Sequence, residues 1–193
     1  MFLFYWMNQR GVSFLFACAC LCAWLLPFTL LGAEQQPIAL EDELKAVYIF
    51  NFIRFTDWPD SVSSASGQTI RLSVLGNHTL RKKLKKIASK QASHGVKLDV
   101  HLCAMPACAE QSDALFINES EGETLKKTLI ILQDKPILTI SDIPGFADQG
   151  GMIELKRQNK RVVFRINLQA IKKVDLYVSA QLLQLGEIVG EKP

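Results

Sequence analysis

The chain has 193 residues, with 22 basic and 19 acidic side chains and a net charge of +3. That length fits one domain, with or without a targeting segment. The near balance of charge gives no bulk sign of a nucleic-acid or membrane partner, which would leave a clustered basic face.

Residues 1–33 carry Arg10 and then an apolar run from Val12 to Leu31, with no acid before Glu34. This is the layout of a secretory signal peptide, with cleavage expected after Ala33. A run of about 20 residues can also span a bilayer as an uncleaved anchor. Pro27 and the polar Glu34-Gln35-Gln36-Pro37 favour cleavage, so residues 34–193 are expected to be a single domain outside the cytoplasm, without stable membrane insertion.

A helix is predicted from near Leu40 to about Phe55. Glu41, Asp42 and Glu43 suit the positive end of its dipole. Between Ala46 and Phe55 it is apolar almost all round, so Asn51 and Arg54 are expected to find partners inside the domain. Trp58-Pro59 closes it. After a serine-rich loop, residues 70–75 read as a strand and 79–89 as an amphipathic helix. Leu80, Leu84 and Ile87 line one side of that helix. Its run Arg81-Lys82-Lys83-Leu84-Lys85-Lys86 reads as a solvated face, with docking to an acidic partner or anionic lipid as the alternative.

A strand at 96–102 precedes Cys103 and Cys108, which are the only cysteines after the apolar run. An even count in an oxidising compartment reads as one disulfide. A metal site with His101 is the sharper reading, but nothing nearby completes a four-ligand set. Next come a strand at 114–117, a helix at 121–132 and a buried strand at 136–140. A loop with three glycines spans 141–151. Strands at 152–155 and 161–168 form a hairpin, and helices at 169–173 and 180–189 close the chain. Alternation of strand and helix points to an α/β sandwich, a mixed central sheet flanked by helices in a Rossmann-like layout.

Signatures of chemistry are missing from that layout. The first strand leads into Gly76-Asn77-His78-Thr79, which is neither a dinucleotide nor a P-loop fingerprint. No nucleophile elbow occurs, and His78, His94 and His101 lack zinc-protease spacing. Asp142 and Asp148 bracket Gly145-Phe146 after a strand, the best small-molecule candidate in an α/β fold. Ordinary turn chemistry also accounts for them. No catalytic set, metal set or cofactor is expected.

The run Ser141-Asp-x-x-Gly-Phe-Ala-x-x-Gly-Gly-Met-Ile-x-Leu155, then Arg161-Val-x-Phe-x-Ile-Asn-Leu168, resembles the C-terminal half of the YfiR family of periplasmic proteins. Upstream, Tyr48-Ile-Phe-Asn-Phe-Ile-Arg-Phe-Thr-Asp-Trp58-Pro59 is similar to that family's N-terminal helix. The resemblance implies a non-enzymatic regulator that forms dimers. Its partner would be the periplasmic sensor domain of an inner-membrane diguanylate cyclase, held inactive so that cyclic di-GMP falls. The best-known members of the family carry two bridges. Here Ser73 and the cysteine-free loop at 143–154 leave only Cys103 and Cys108.

The family's partner-binding patch corresponds to Ile153, Arg165 and Ile171, and Arg165 interrupts an otherwise apolar strand. Phe146, placed at the loop tip, is a further candidate because aromatics are enriched in interface hot spots. The alternative is a periplasmic small-ligand receptor using the 141–151 loop, or an accessory protein for another membrane sensor or transporter.

Overall fold

The computed structural model describes residues 36–59, 69–91, 96–159 and 161–190. The expected signal segment and His94 lie outside these residues. Pro37–Pro193 forms one compact unit.

Helix α1 (Gln36–Arg54) opens the unit. It begins earlier than expected, with Pro37 in its first turn, where a missing N–H costs nothing. Glu41 and Asp42 therefore lie beyond the first turn and make tertiary contacts instead. Strand β1 (Thr56–Asp57) follows, then β2 (Thr69–Leu75), α2 (His78–Gln91) and β3 (Lys97–Cys103). A 3₁₀ turn at Pro106–Gln111 leads into β4 (Ala114–Ile117), and another at Glu119–Thr124 into α3 (Leu125–Leu132). Then come β5 (Leu138–Ser141), β6 (Ile153–Gln158), β7 (Arg161–Asn167), α4 (Leu168–Lys172), β8 (Tyr177–Val178), α5 (Ala180–Leu185) and β9 (Glu187–Val189).

Seven strands form one sheet in the order β3-β2-β4-β5-β6-β7-β9. The first five are mutually parallel, β7 is antiparallel to β6, and β9 is parallel to β7. The mixed α/β sandwich and the closing hairpin are thus as the sequence pattern anticipates.

Side chains alternate across the sheet, as strand geometry requires. Ile70, Leu72, Val74, Phe116, Ile140, Ile153 and Phe164 point to one face. There they meet Ala46, Ile49 and Phe52 of α1 and Leu80 and Leu84 of α2. Leu75, Leu115 and Ile117 point to the other face, against Leu125 and Leu132 of α3 and Phe146. Phe52 and Phe164 meet edge to face at 4.9 Å, which fixes α1 over the β6–β7 hairpin.

Three expectations need correction. Residues 180–189 are not one helix: α5 stops at Leu185, and Glu187–Val189 pairs with Arg165, Ile166 and Asn167 of β7. Those β7 backbone groups would otherwise sit at an open edge. Arg54 is exposed, its guanidinium 5.5 Å from the centre of the Phe55 ring, and among the described residues it makes no ion pair or side-chain hydrogen bond. The helix expected at 121–132 is divided, its first part being the 3₁₀ turn, and Glu121 inside that turn is non-helical.

Candidate functional site

β3 and β4 flank β2, so the chain reverses its direction of travel across the sheet at β2. Such a switch leaves a crevice beyond the carboxyl ends of the parallel strands. Asn77, two residues beyond β2, and Asn118 and Asp142, directly after β4 and β5, are all used. Asp142, nearly buried, accepts from the backbone N–H of Glu119 at 2.7 Å and from Lys45 Nζ at 2.8 Å. The Asn118 amide approaches it at 3.3 Å. Asn77 caps α2 through the Leu80 N–H at 2.8 Å, and its amide lies 3.4 Å from Asp42.

Asp142 therefore does not make the turn that follows β5. Ser141 does, accepting from Ile143 N–H at 3.0 Å and donating to the Ile117 carbonyl at 2.7 Å. The aspartate is left free to receive α1. Lys45 also meets Glu41 at 2.9 Å, and Glu41 meets Arg157 at 3.0 Å. Burial works against the Lys45 ammonium, but its hydrogen bonds to Asp142 and Glu41 outweigh that and hold its pKa above the usual lysine value.

A second charged node lies on β6 and β7. Glu154 is 3% exposed, and its carboxylate accepts from the N–H groups of Gly145 and Ala147, each at 3.1 Å. It is the fastener of the 142–151 loop. Arg165 stands opposite Glu154 in the β6–β7 ladder, 3.2 Å away, and opposite Glu187 in the β7–β9 ladder, at 3.6 Å. Three strands thus place acid, base and acid in one cross-strand row, an arrangement that stabilises a sheet.

Arg165 also makes a fork to Asp148, at 2.7 and 2.9 Å, which clamps the loop's outer end. That fork drives the Asp148 carboxyl below the usual carboxylate range and the guanidinium above its ordinary value.

The two nodes line a cleft of about 510 Å³, with Glu41, Lys45 and Asp142 on one side and Asp148, Glu154, Lys156 and Arg165 on the other. Glu41, Asp142, Asp148 and Glu154 are each held by a base or by backbone N–H groups, and no cluster of three metal-ligating side chains occurs among the described residues. The arrangement suits recognition of a charged surface or a polar ligand.

Only part of the expected partner patch reaches the surface. Arg165 does, and its internal ion pairs account for a charge on an apolar strand. Phe146, Ile153 and Ile171 are each 0% exposed. Phe146 does not crown the loop. It fills the core beneath it, so close to Gly151 that a Cβ there would come within 2.1 Å of the ring. Ile153 and Ile171 belong to the core on the α1 side of the sheet.

Cys103 and Cys108 are bonded, with Cα atoms 5.8 Å apart, and His101 pairs with Asp99 at 2.8 Å. Sequence reasoning missed Lys45, Asn118 and Glu154. Glu154 carried a signal, a lone acid in the apolar run Met152-Ile153-Glu154-Leu155, as Arg165 is the lone base in Val162-Val163-Phe164-Arg165-Ile166 of the next strand.

Fold and site together define an α/β sandwich domain with a charge-lined crevice at the carboxyl ends of its parallel strands. The chain belongs to the YfiR/HmsC-like family, whose model matches residues 42–187. Among the described residues no helix is long and apolar enough to cross a membrane.

The chain is similar in fold to a crystal structure of a conserved domain protein from Vibrio cholerae O1 biovar El Tor. The TM-score is 0.52 and the identity 12%, over 76% of this chain and 59% of that one. It thus spans about three fifths of that protein's length. An ABC domain from Streptococcus pneumonia, solved in complex with L-Trp, is a fainter likeness: TM-score 0.49, identity 7%, over 62% of this chain and 55% of that one. No curated protein sequence matches the chain.

Proposed function

We propose that this protein binds the periplasmic sensor domain of an inner-membrane diguanylate cyclase and holds the enzyme inactive, lowering cyclic di-GMP, and that it works as a homodimer without catalysis of its own. The family match over residues 42–187 carries this reading. The partner-facing surface is centred on Arg165, with Asp148 and Glu187 as its exposed members at 60% and 66% side-chain exposure. Phe146, Ile153 and Ile171 act from behind, by holding the loop and strands in register. Charged rows of this kind steer association and fix partner choice.

The test is cyclic di-GMP in cells with and without the gene, complemented by exported and non-exported forms. Deletion is expected to raise cyclic di-GMP, and only the exported form to restore it. Asp148→Ala and Glu187→Ala, both at the surface, are expected to weaken repression at unchanged protein level. Full repression by both together with Arg165→Ala would remove the proposed surface. A second reading, a small-ligand receptor, draws on the cleft itself, whose charged walls converge on one volume. A polar metabolite that raises the melting temperature, and no longer does so in Lys45→Ala, would favour it.

A further inference from the structure

We infer that the outward faces of α1 and α2 form a reversible docking surface for an anionic lipid bilayer. Both helices bury their inner sides in the same core on the same face of the sheet, α1 through Ala46, Ile49 and Phe52 and α2 through Leu80 and Leu84. Their outer sides therefore look away from the sheet in one direction. On α1 the outward positions include Leu40, Leu44 and Val47, at 68%, 40% and 44% exposure, with the exposed Glu43 at their side. The 4-3 spacing puts them in one stripe opposite the buried side.

On α2 the outward positions are Lys82, Lys85, Lys86 and Lys90, all exposed. Among the described residues no carboxylate lies within ion-pair distance of these four, and α2 contains no acid at all. The two helices approach where Asn77 reaches Asp42, so the apolar stripe and the start of the cationic helix are neighbours.

An aliphatic stripe beside a lysine-rich, acid-free helix is the composition of interfacial membrane elements. Leucine and valine enter the headgroup boundary while ammonium groups hold phosphates. A protein partner is less well served, because protein interfaces favour aromatics and arginine and are depleted of lysine. The family reading gives the protein a membrane-bound partner, and docking of this kind would confine its search to two dimensions. The inference itself rests on the helices alone.

Residues 34–193, which contain the whole compact unit, would be mixed with vesicles of equal parts phosphatidylethanolamine and phosphatidylglycerol, or of phosphatidylcholine alone, and sedimented. The expected result is binding to the anionic vesicles at least about tenfold above the neutral ones, weakening as salt rises from about 50 to about 300 mM. Lys82→Gln/Lys85→Gln/Lys86→Gln and, separately, Leu44→Ser/Val47→Ser should each lower binding at least about tenfold with an unchanged melting temperature. All five side chains are exposed, so neither variant disturbs the core. Equal binding to both vesicles, or binding indifferent to Leu44 and Val47, would overturn the inference. So would self-association abolished by Leu44→Ser/Val47→Ser in protein that ignores anionic vesicles, because a second copy would then cover the stripe.

Discussion

Asp42 shows how a residue can be placed at a net electrostatic cost. Its carboxyl is nearly buried, and burial raises its pKa although Lys45, the Asn77 amide and Lys83 pull the other way. The unfolded chain titrates it near 3.9. Between that value and its raised folded value the native state holds more protons than the unfolded one. Stability therefore falls as pH rises through this window and stays lower above it. Asp42→Asn keeps an acceptor for Asn77 and removes the charge. It is expected to raise the melting temperature at pH 7, with the difference from the parent vanishing below about pH 3.5, under the unfolded value. Melting curves across pH check this, and a lower melting temperature at pH 7 would contradict it. The aspartate was legible in sequence as a helix-dipole residue, which it is not. An acid near a helix start looks the same whether it serves the helix or a neighbour 35 positions away.

At the scale of elements, β4 and β5 were legible because each is a short apolar run buried on both faces, and the edge strand β3 because apolar and polar residues alternate along it. The β6–β7 hairpin was legible from its polar connection. The final element was not. Ala180 to Val189 reads as one amphipathic helix, since helical and strand periods cannot be told apart over so short an apolar stretch. Gly186 decides the matter, for a reason that is tertiary. A Cβ there would lie 2.6 Å from Cε2 of Phe164 and 3.0 Å from Cδ1 of Ile166. The chain can cross this point toward β7 only without a side chain. Phe164 cannot give way easily, being wedged against Phe52 and Tyr48. Gly186→Ala is therefore expected to destabilise the domain by about 1–3 kcal/mol through overpacking. Gly122→Ala, where nothing lies within 4 Å of the new methyl group, should cost no stability. Urea denaturation of the two variants makes the comparison, and equal midpoints would show that β9 does not depend on the close approach.

For the molecule as a whole, the disulfide separates what the sheet holds together from what a covalent bond adds. Cys103 ends β3 at the sheet's edge, and Cys108 sits in the 3₁₀ turn that brings Ala109 into the core on the α3 side. The bond ties the turn to the strand, but β3 is already paired with β2 along its full length, from Lys97 to Cys103. The closed loop is short, with a sequence separation of 5. Chain-entropy reasoning then gives a contribution of about 2 kcal/mol. That is small beside a core that runs across both faces of a seven-stranded sheet. Reduction should therefore loosen an edge and leave the fold standing. Cys103→Ser/Cys108→Ser is expected to stay folded and to lower the unfolding free energy by about 2 kcal/mol, and reductant should shift the parent by the same amount without affecting the variant. If the variant fails to fold, the turn at Pro106–Gln111 is organising β3 and β4, and the edge is no longer the least essential part of the sheet.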